Sequence, residues 1–320
     1  MPGPVSAVGF GAVEHPASNK EKAVSAKAYF ISLLTLSVAR YIMMFVNRRN
    51  FLLSSAAVAA PLAAGPAAAD SPNSGVDFSL GVATYSFREF QIGYAIRAIK
   101  SLGITYVDVK DFHLSMNDSP KQLAAGRKKF DSAGLKVIGG GNINLAGTDD
   151  ELRKAFEYAK NCGFPMMICA PTVETLPKVE KLAIEFDIKM AIHNHGPEDK
   201  HFPSPTSVLN AVKNMDPRMG LCIDIGHTVR AGEDVVEAIA KAGPRLFEMH
   251  MKDLTDLTKR DSQVPVGDGN IPIAAIFKQL KKVGYKGVCS LEYEIDAYDP
   301  TPGMVKSFAH MRGILAGMKA

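Results

Sequence analysis

The stretch Lys189-Met190-Ala191-Ile192-His193-Asn194-His195-Gly196-Pro197 is an apolar run that ends in two histidines spaced i, i+2. In a β-strand that spacing turns both imidazoles to one face. Three later runs stop in a similar way: Leu221-Cys222-Ile223-Asp224-Ile225-Gly226-His227, Phe247-Glu248-Met249-His250-Met251-Lys252-Asp253 and Val288-Cys289-Ser290-Leu291-Glu292-Tyr293-Glu294. Four short hydrophobic segments each close on a metal-ligand or acid–base side chain. The pattern predicts a single polar site at the C-terminal rim of a parallel barrel.

Working outward from this stretch, β-type runs fall at 79–85, 106–109, 136–139, 166–170, 189–193, 220–225, 246–250 and 287–292. Several are almost continuously apolar, as parallel strands are when helices cover one side and a packed interior fills the other. Helical patterns lie between and after them at 93–102, 120–133, 149–162, 177–187, 205–214, 232–242, 273–283 and 302–318. Pro120, Pro177 and Pro205 suit first helical turns. Gly103, Gly134, Gly163, Gly243 and Gly284 suit helix C-termini. Eight strand–helix repeats predict an α/β protein with a (β/α)8 TIM-barrel fold, as one domain over 70–320.

The first 69 residues read differently. Asn47-Arg48-Arg49-Asn50-Phe51-Leu52 precedes an uncharged, Ala-rich run that ends Ala67-Ala68-Ala69. A charged start, an apolar middle and a small-residue end make a secretory signal, and paired arginines before Phe-Leu resemble a twin-arginine (Tat) signal. Cleavage is expected after Ala69. Met43 and Met44 lie just ahead of the arginines, so 1–42 reads as a mis-assigned start. The segment 28–46 is fairly apolar but contains Arg40, which makes it a poor membrane span. The expected location is the periplasm or another exported site, with the Tat machinery as a partner and membrane anchoring disfavoured.

The leader also decides the charge argument. Residues 1–69 hold six Lys/Arg and two Asp/Glu of the chain's 37 and 33, which leaves 31 of each in 70–320. A neutral domain gives no electrostatic footprint for nucleic acid. The four cysteines form no C-x-x-C and three lie in apolar runs, so buried free thiols are expected.

Each strand exit then offers candidates. Strand 2 ends at Lys110-Asp111-Phe112-His113, and strand 3 at Gly139-Gly140-Gly141-Asn142, where the missing side chains would let backbone approach a ligand. Strand 5 supplies His193 and His195, strand 6 Asp224 and His227, strand 7 His250 and Lys252, and strand 8 Glu292. Asp224, His250 and Glu292 leave consecutive strands at similar depth. A residue from strand 5 would complete a set of N and O ligands for a divalent ion such as Mn, Zn, Co or Mg.

From about residue 79 to 318 the chain resembles the xylose-isomerase-like TIM-barrel superfamily of sugar phosphate isomerases and epimerases. The resemblance rests on Val109-Lys110-Asp111-Phe112-His113, His193-Asn194-His195-Gly196-Pro197 and Asp224-Ile225-Gly226-His227. It rests also on His250-Met251-Lys252-Asp253, Leu291-Glu292-Tyr293 and Gly267-Asp268-Gly269-Asn270-Ile271-Pro272. The resemblance implies one divalent cation held by strands 5 to 8, with Asp224, His250 and Glu292 matching. Many epimerases of that group carry on strand 5 a Glu that is also one of two acid–base carboxylates. Here that position holds His193, and the H-N-H pattern resembles inosose dehydratases and keto-sugar lyases. One of His193 and His195 would be a ligand and the other a proton-transfer group or substrate contact. The working assignment takes His195 as ligand and His193 as proton carrier.

The chemistry implied is proton abstraction next to a carbonyl in a sugar-like substrate. Glu292 or a histidine would move the proton, Lys252 would neutralise an oxyanion, and His227 would assist catalysis or touch a hydroxyl. Lys110, His113 and Asn142 would hold the rest of the sugar. The expected protein is therefore an exported metal-dependent isomerase or epimerase, with a dehydratase or lyase as the alternative. A non-catalytic sugar-binding barrel is a reading of another class, and homo-oligomerisation is left open. A nuclease resembling endonuclease IV is disfavoured, because strand 3 offers no histidine and the domain has no basic excess.

Overall fold

Residues 75–318 are described by the computed structural model. The eight strands are β1 (Ser79–Ala83), β2 (Tyr106–Val109), β3 (Lys136–Leu145), β4 (Met166–Pro171), β5 (Lys189–His193), β6 (Met219–Asp224), β7 (Leu246–Met251) and β8 (Val288–Leu291). They pair in parallel in chain order, and β8 returns to β1 to close the barrel. The helices are α1 (Ile92–Ser101), α2 (Pro120–Ser132), α3 (Asp149–Asn161), α4 (Leu176–Phe186), α5 (Pro205–Val212), α6 (Ile225–Arg230), α7 (Val235–Ala242), α8 (Ile273–Lys282) and α9 (Thr301–Gly317). The (β/α)8 expectation is met. The leader, its Arg pair, the segment 28–46 and the boundary at 69 lie outside the described residues. Among the described residues no helix is long and apolar enough to cross a membrane.

Local chemistry explains the element ends. Ser119 and Thr148 begin α2 and α3 with reciprocal capping boxes, and Pro120 occupies the first turn of α2. Gly103, Gly134, Gly163 and Gly284 follow helices at φ 65° to 75°, where a Cβ would be strained. The large core lies between sheet and helices, with Phe87, Phe130, Phe156, Phe202, Phe277 and Phe308 fully buried. All four cysteines are buried free thiols.

Three elements differ from the sequence reading. The first strand stops at Ala83 and continues as a 3-10 turn, Thr84–Phe87. A short helix, α6, grows directly from the end of β6. The third strand runs on through its glycines to Leu145 with a register shift against β4. Those glycines serve packing against the next strand rather than close approach to a ligand. A Cβ on Gly141 would sit 2.0 Å from the Ile168 carbonyl oxygen, and one on Gly140 would sit 2.1 Å from the Phe164 ring.

Candidate metal centre and active site

Side chains alternate across a strand, so residues two apart stack along the barrel interior. The sequences of β5 to β8 and their exits therefore build layers. The lower layer is Ala191, Cys222, Glu248 and Ser290, and two residues further along each chain lie His193, Asp224, His250 and Glu292. Strand pairing is staggered relative to these layers: Asp224 pairs with His250 in the same layer, but His193 pairs with Cys222 and His250 with Ser290, an offset of two residues that keeps the side chains on the same face. The next step up brings His195, Gly226, Lys252 and Glu294.

The middle layer converges. One ligand atom from each of His193, Asp224, His250 and Glu292 lies within 4.8 Å of the others, and all four residues are buried. His193 Nε2 is 3.0 Å from His250 Nδ1 and 3.6 Å from Asp224 Oδ2. His250 Nδ1 is 3.2 Å from Glu292 Oε2. Two imidazoles and two carboxylates suit a divalent transition ion. Asp224 Oδ2 makes no regular hydrogen bond; it pairs by charge with Lys252 Nζ at 3.0 Å and faces the cluster as an anionic donor atom. The donor set therefore fits a metal ion.

Asp224 serves two ends at once. Its Oδ1 accepts the His227 backbone N–H at 2.8 Å and so caps α6, while Oδ2 faces the cluster. A cap and a ligand are the same residue here. Asn194 Oδ1 accepts the Asp224 backbone N–H at 3.0 Å and ties β5 to β6 below the site.

Lys252 is the second charge centre. Its Nζ lies 3.0 Å from Asp224 Oδ2, 2.9 Å from Glu292 Oε2 and 2.8 Å from Glu294 Oε2. Burial alone would lower the ammonium pKa, but the three carboxylates outweigh it and hold Lys252 well above its usual range. Burial would likewise raise Asp224 and Glu292, and Lys252 first among their neighbours instead keeps both well below the usual carboxylate range. The site is thus assembled from full charges in a dry setting, where electrostatic interactions are strong.

The other expected residues occupy definite places. His195 is outside the four-residue cluster; its Nε2 accepts from Asn142 Nδ2 at 2.6 Å and its Nδ1 faces Asp199 Oδ2 at 3.2 Å. The His193 ring is the strand 5 histidine among the candidate ligands. His227 Nδ1 faces Arg230 Nη1 at 3.0 Å, and burial with the nearby Lys252 charge pushes its pKa down to about 4 against the pull of Asp224. Lys110 Nζ donates to the Asn142 carbonyl at 2.7 Å and pairs with Asp111 at 3.0 Å. His113 is 7% exposed and commits Nε2 to the Phe90 carbonyl at 3.0 Å, so it braces the loop after β1. Asp253 does not pair with Lys252. Its carboxylate accepts the backbone N–H groups of Leu254, Gly267, Gly269 and Ile271, filling from within the nest that an anion would need.

Three acidic groups escaped the sequence reading. Glu294 is the third carboxylate on Lys252. Asp108, on β2, is 1% exposed and lies 3.7 Å from His250 Nε2. Glu248 is fully buried one layer below, with Oε1 accepting from Ser290 Oγ at 2.6 Å. A signal was available: E-x-H-x-K and S-x-E-x-E carry the period of two both below and above the strand-end residues.

Burial, followed by the Asp108 charge, raises the Glu248 pKa to about 8. An acid raised in the folded state favours folding below its unfolded pKa near 4.5, and that contribution is lost as pH rises through 8. Metal-stripped Glu248→Gln is therefore expected to melt several degrees higher than wild type at pH 8.5 and about equally at pH 4.5. Thermal melts across this window check it; parallel pH profiles for the two proteins would refute it.

Comparison with known proteins agrees with this architecture. The profile of the xylose isomerase-like TIM barrel family matches residues 96–314, and the chain belongs to that family. An inosose dehydratase of Clostridium perfringens is 30% identical over 147 residues, 38% of this chain and 46% of that one. The chain spans less than half the length of the curated relatives it matches. An uncharacterised protein of Parabacteroides distasonis aligns with TM-score 0.59 and 28% identity, over 74% of this chain and 99% of that one. The structure of an IOLI protein with a binding zinc atom aligns with TM-score 0.64 and 16% identity, over 76% of this chain and 99% of that one. Family members include isomerases, epimerases and dehydratases, which is consistent with an enzyme.

Proposed function

We propose that this protein is an exported, divalent-metal-dependent enzyme that abstracts a proton next to the carbonyl of a free keto-sugar or keto-cyclitol. The observation that carries the reading is the convergence of His193, Asp224, His250 and Glu292, with the Lys252 ammonium against the same two carboxylates. A divalent ion held by those four groups would supply a Lewis acid for a substrate oxygen. Lys252 is placed to neutralise negative charge that develops on that oxygen, and its low-dielectric surroundings make the interaction strong. The four cluster residues and Lys252 occupy the barrel interior, while His195 stands at the mouth, where it can accept a proton.

Strand 5 presents histidines where a two-carboxylate epimerase would present a glutamate. This favours elimination of a β-hydroxyl, giving a dehydratase or lyase, over epimerisation as the net outcome. Similarity to an inosose dehydratase supports the same preference. Isomerisation is the second reading, since it begins with the same proton abstraction. The Ala-rich segment behind Arg48-Arg49 supports export through the Tat pathway.

The test uses the full chain purified from a Tat-competent host. Elemental analysis should find about one divalent ion per chain. Incubation with an inosose in D2O should give loss of water from the substrate if elimination is the outcome. Deuterium at the carbon next to the carbonyl without mass loss would instead support isomerisation. Absence of both changes together with absence of bound metal would sink the proposal.

A further inference from the structure

The loop after β5 is closed on itself around one carboxylate. His195 and Gly196 donate their backbone N–H groups to the carbonyls of Phe202 and Pro203, and Asp199 donates its own to Gly196. Asp199 Oδ1 accepts the N–H groups of His201 at 2.7 Å and Phe202 at 3.1 Å. That leaves Oδ2 for the His195 ring, 3.2 Å from Nδ1. A carboxylate can only accept, so Nδ1 must carry the proton. Nε2 then has a free lone pair, and it accepts from the Asn142 amide at 2.6 Å. Asn142 is itself fixed from behind, because Lys110 holds its carbonyl at 2.7 Å. The His195 ring centroid lies 4.5 Å from that of His193, so the lone pair stands one layer above the candidate metal ligands. The His195 side chain keeps 31% of its surface open, whereas His193 keeps 3%.

We propose that Asp199 is a positioning residue that locks His195 as the Nδ1–H tautomer, with Nε2 presented to the barrel mouth as the base for the substrate carbon. This rests on the proton-abstraction reading above and deepens it. An arriving substrate displaces the Asn142 amide from Nε2. The C–H bond next to the carbonyl breaks, and the proton goes to Nε2. The electron pair forms the carbon–carbon double bond of the enediolate, and the carbonyl π pair moves to its oxygen. The resulting imidazolium keeps its Nδ1 proton on Asp199, which balances the new positive charge. In elimination the enediolate oxygen pair re-forms the carbonyl, and the carbon–carbon double bond shifts to the α,β position as the β C–O bond breaks. The departing hydroxide takes the Nε2 proton and leaves as water, so His195 returns to its starting form.

Asp199→Asn separates this role from loop closure. The amide Oδ1 can still accept from His201 and Phe202, but its NH2 group faces His195 Nδ1 as a donor and drives the ring proton to Nε2. Nitrogen NMR of full-length protein labelled at histidine, in the metal-free and substrate-free state, reads the tautomer directly. Comparison with His195→Gln assigns the signals. The expected result is a proton on Nδ1 in wild type and on Nε2 in Asp199→Asn. Melting temperature and metal content should be unchanged, and the rate of deuterium exchange into an inosose should fall by about 10²–10⁴-fold with little change in KM. Three results would overturn the proposal: a wild-type proton on Nε2, an unmoved tautomer in the variant, or a moved tautomer with exchange within threefold of wild type. If wild type exchanges no deuterium into the inosose at all, the base role falls with the functional reading. The NMR result then decides separately whether Asp199 sets the ring.

Discussion

Lys252→Met is expected to lower the stability of the metal-free protein, raise its affinity for a divalent ion and stop turnover. The ammonium lies within 3.0 Å of oxygens from Asp224, Glu292 and Glu294, and 4% of the residue is exposed. Methionine preserves most of the volume but leaves three converging carboxylates with no cation. Removing one member of a buried charge network typically costs about 3–5 kcal/mol. For a domain of this size that is roughly ten degrees in melting temperature. A bound divalent ion would replace the missing charge and restore most of the loss. Ion affinity should rise, because Lys252 now repels any cation that approaches Asp224 and Glu292. Turnover should nonetheless fall by at least about 10²-fold, the scale for losing a fixed charge that stabilises a developing oxyanion. Melts with EDTA and with added Mn or Zn, alongside calorimetric titration, decide the matter. Weaker ion binding in the variant would contradict this arrangement of charges.

The second large effect concerns the ligands. Asp224→Asn should keep the α6 cap, because the amide oxygen can still accept from His227, while losing the anionic ligand oxygen. Ion affinity is expected to drop by about 10²-fold or more, and the metal-free protein should melt several degrees below wild type, because Lys252 loses one of its three carboxylates. Asp224→Ala should lose the cap as well, at about a further 1 kcal/mol. The strand 5 histidines separate in the same assay. His193→Gln should weaken ion binding at least about tenfold, since its Nε2 is 3.0 Å from His250 and 3.6 Å from Asp224. His195→Gln should leave ion binding intact, since its ring is engaged by Asn142 and Asp199. The reverse order would return the ligand role to His195.

The candidate site was legible in the sequence to different depths. Asp224, His250 and Glu292 stand out because each ends a largely apolar run, and a polar or charged group in that position needs a reason. Choosing between His193 and His195 was not possible by spacing. Both face the same way, and only the stagger of the closed barrel brings His193, which pairs with Cys222, beside Asp224 and His250. Glu248 and Asp108 lay hidden inside strand segments, where flanking hydrophobics mask a single acid. Lys252 could be suspected as a charge neutraliser, but its carboxylate partners are Asp224, Glu292 and Glu294 and not the adjacent Asp253. Adjacent residues on a strand point to opposite faces, and Asp253 turns away to bind the loop backbone.

The sequence by itself determined the eightfold alternation of apolar runs and amphipathic helices, and therefore the barrel. Those signals are local, set by side-chain period, proline position and helix-ending glycines. It also determined which strand ends carry chemistry. Only the tertiary structure decided which groups meet. Closure and stagger of the strands bring His193, Asp224, His250 and Glu292 to one depth, place Lys252 against two of them, and fold the β5 loop so that Asp199 reaches His195. Those distances depend on register between strands that are dozens of residues apart, and no local pattern along the chain encodes them.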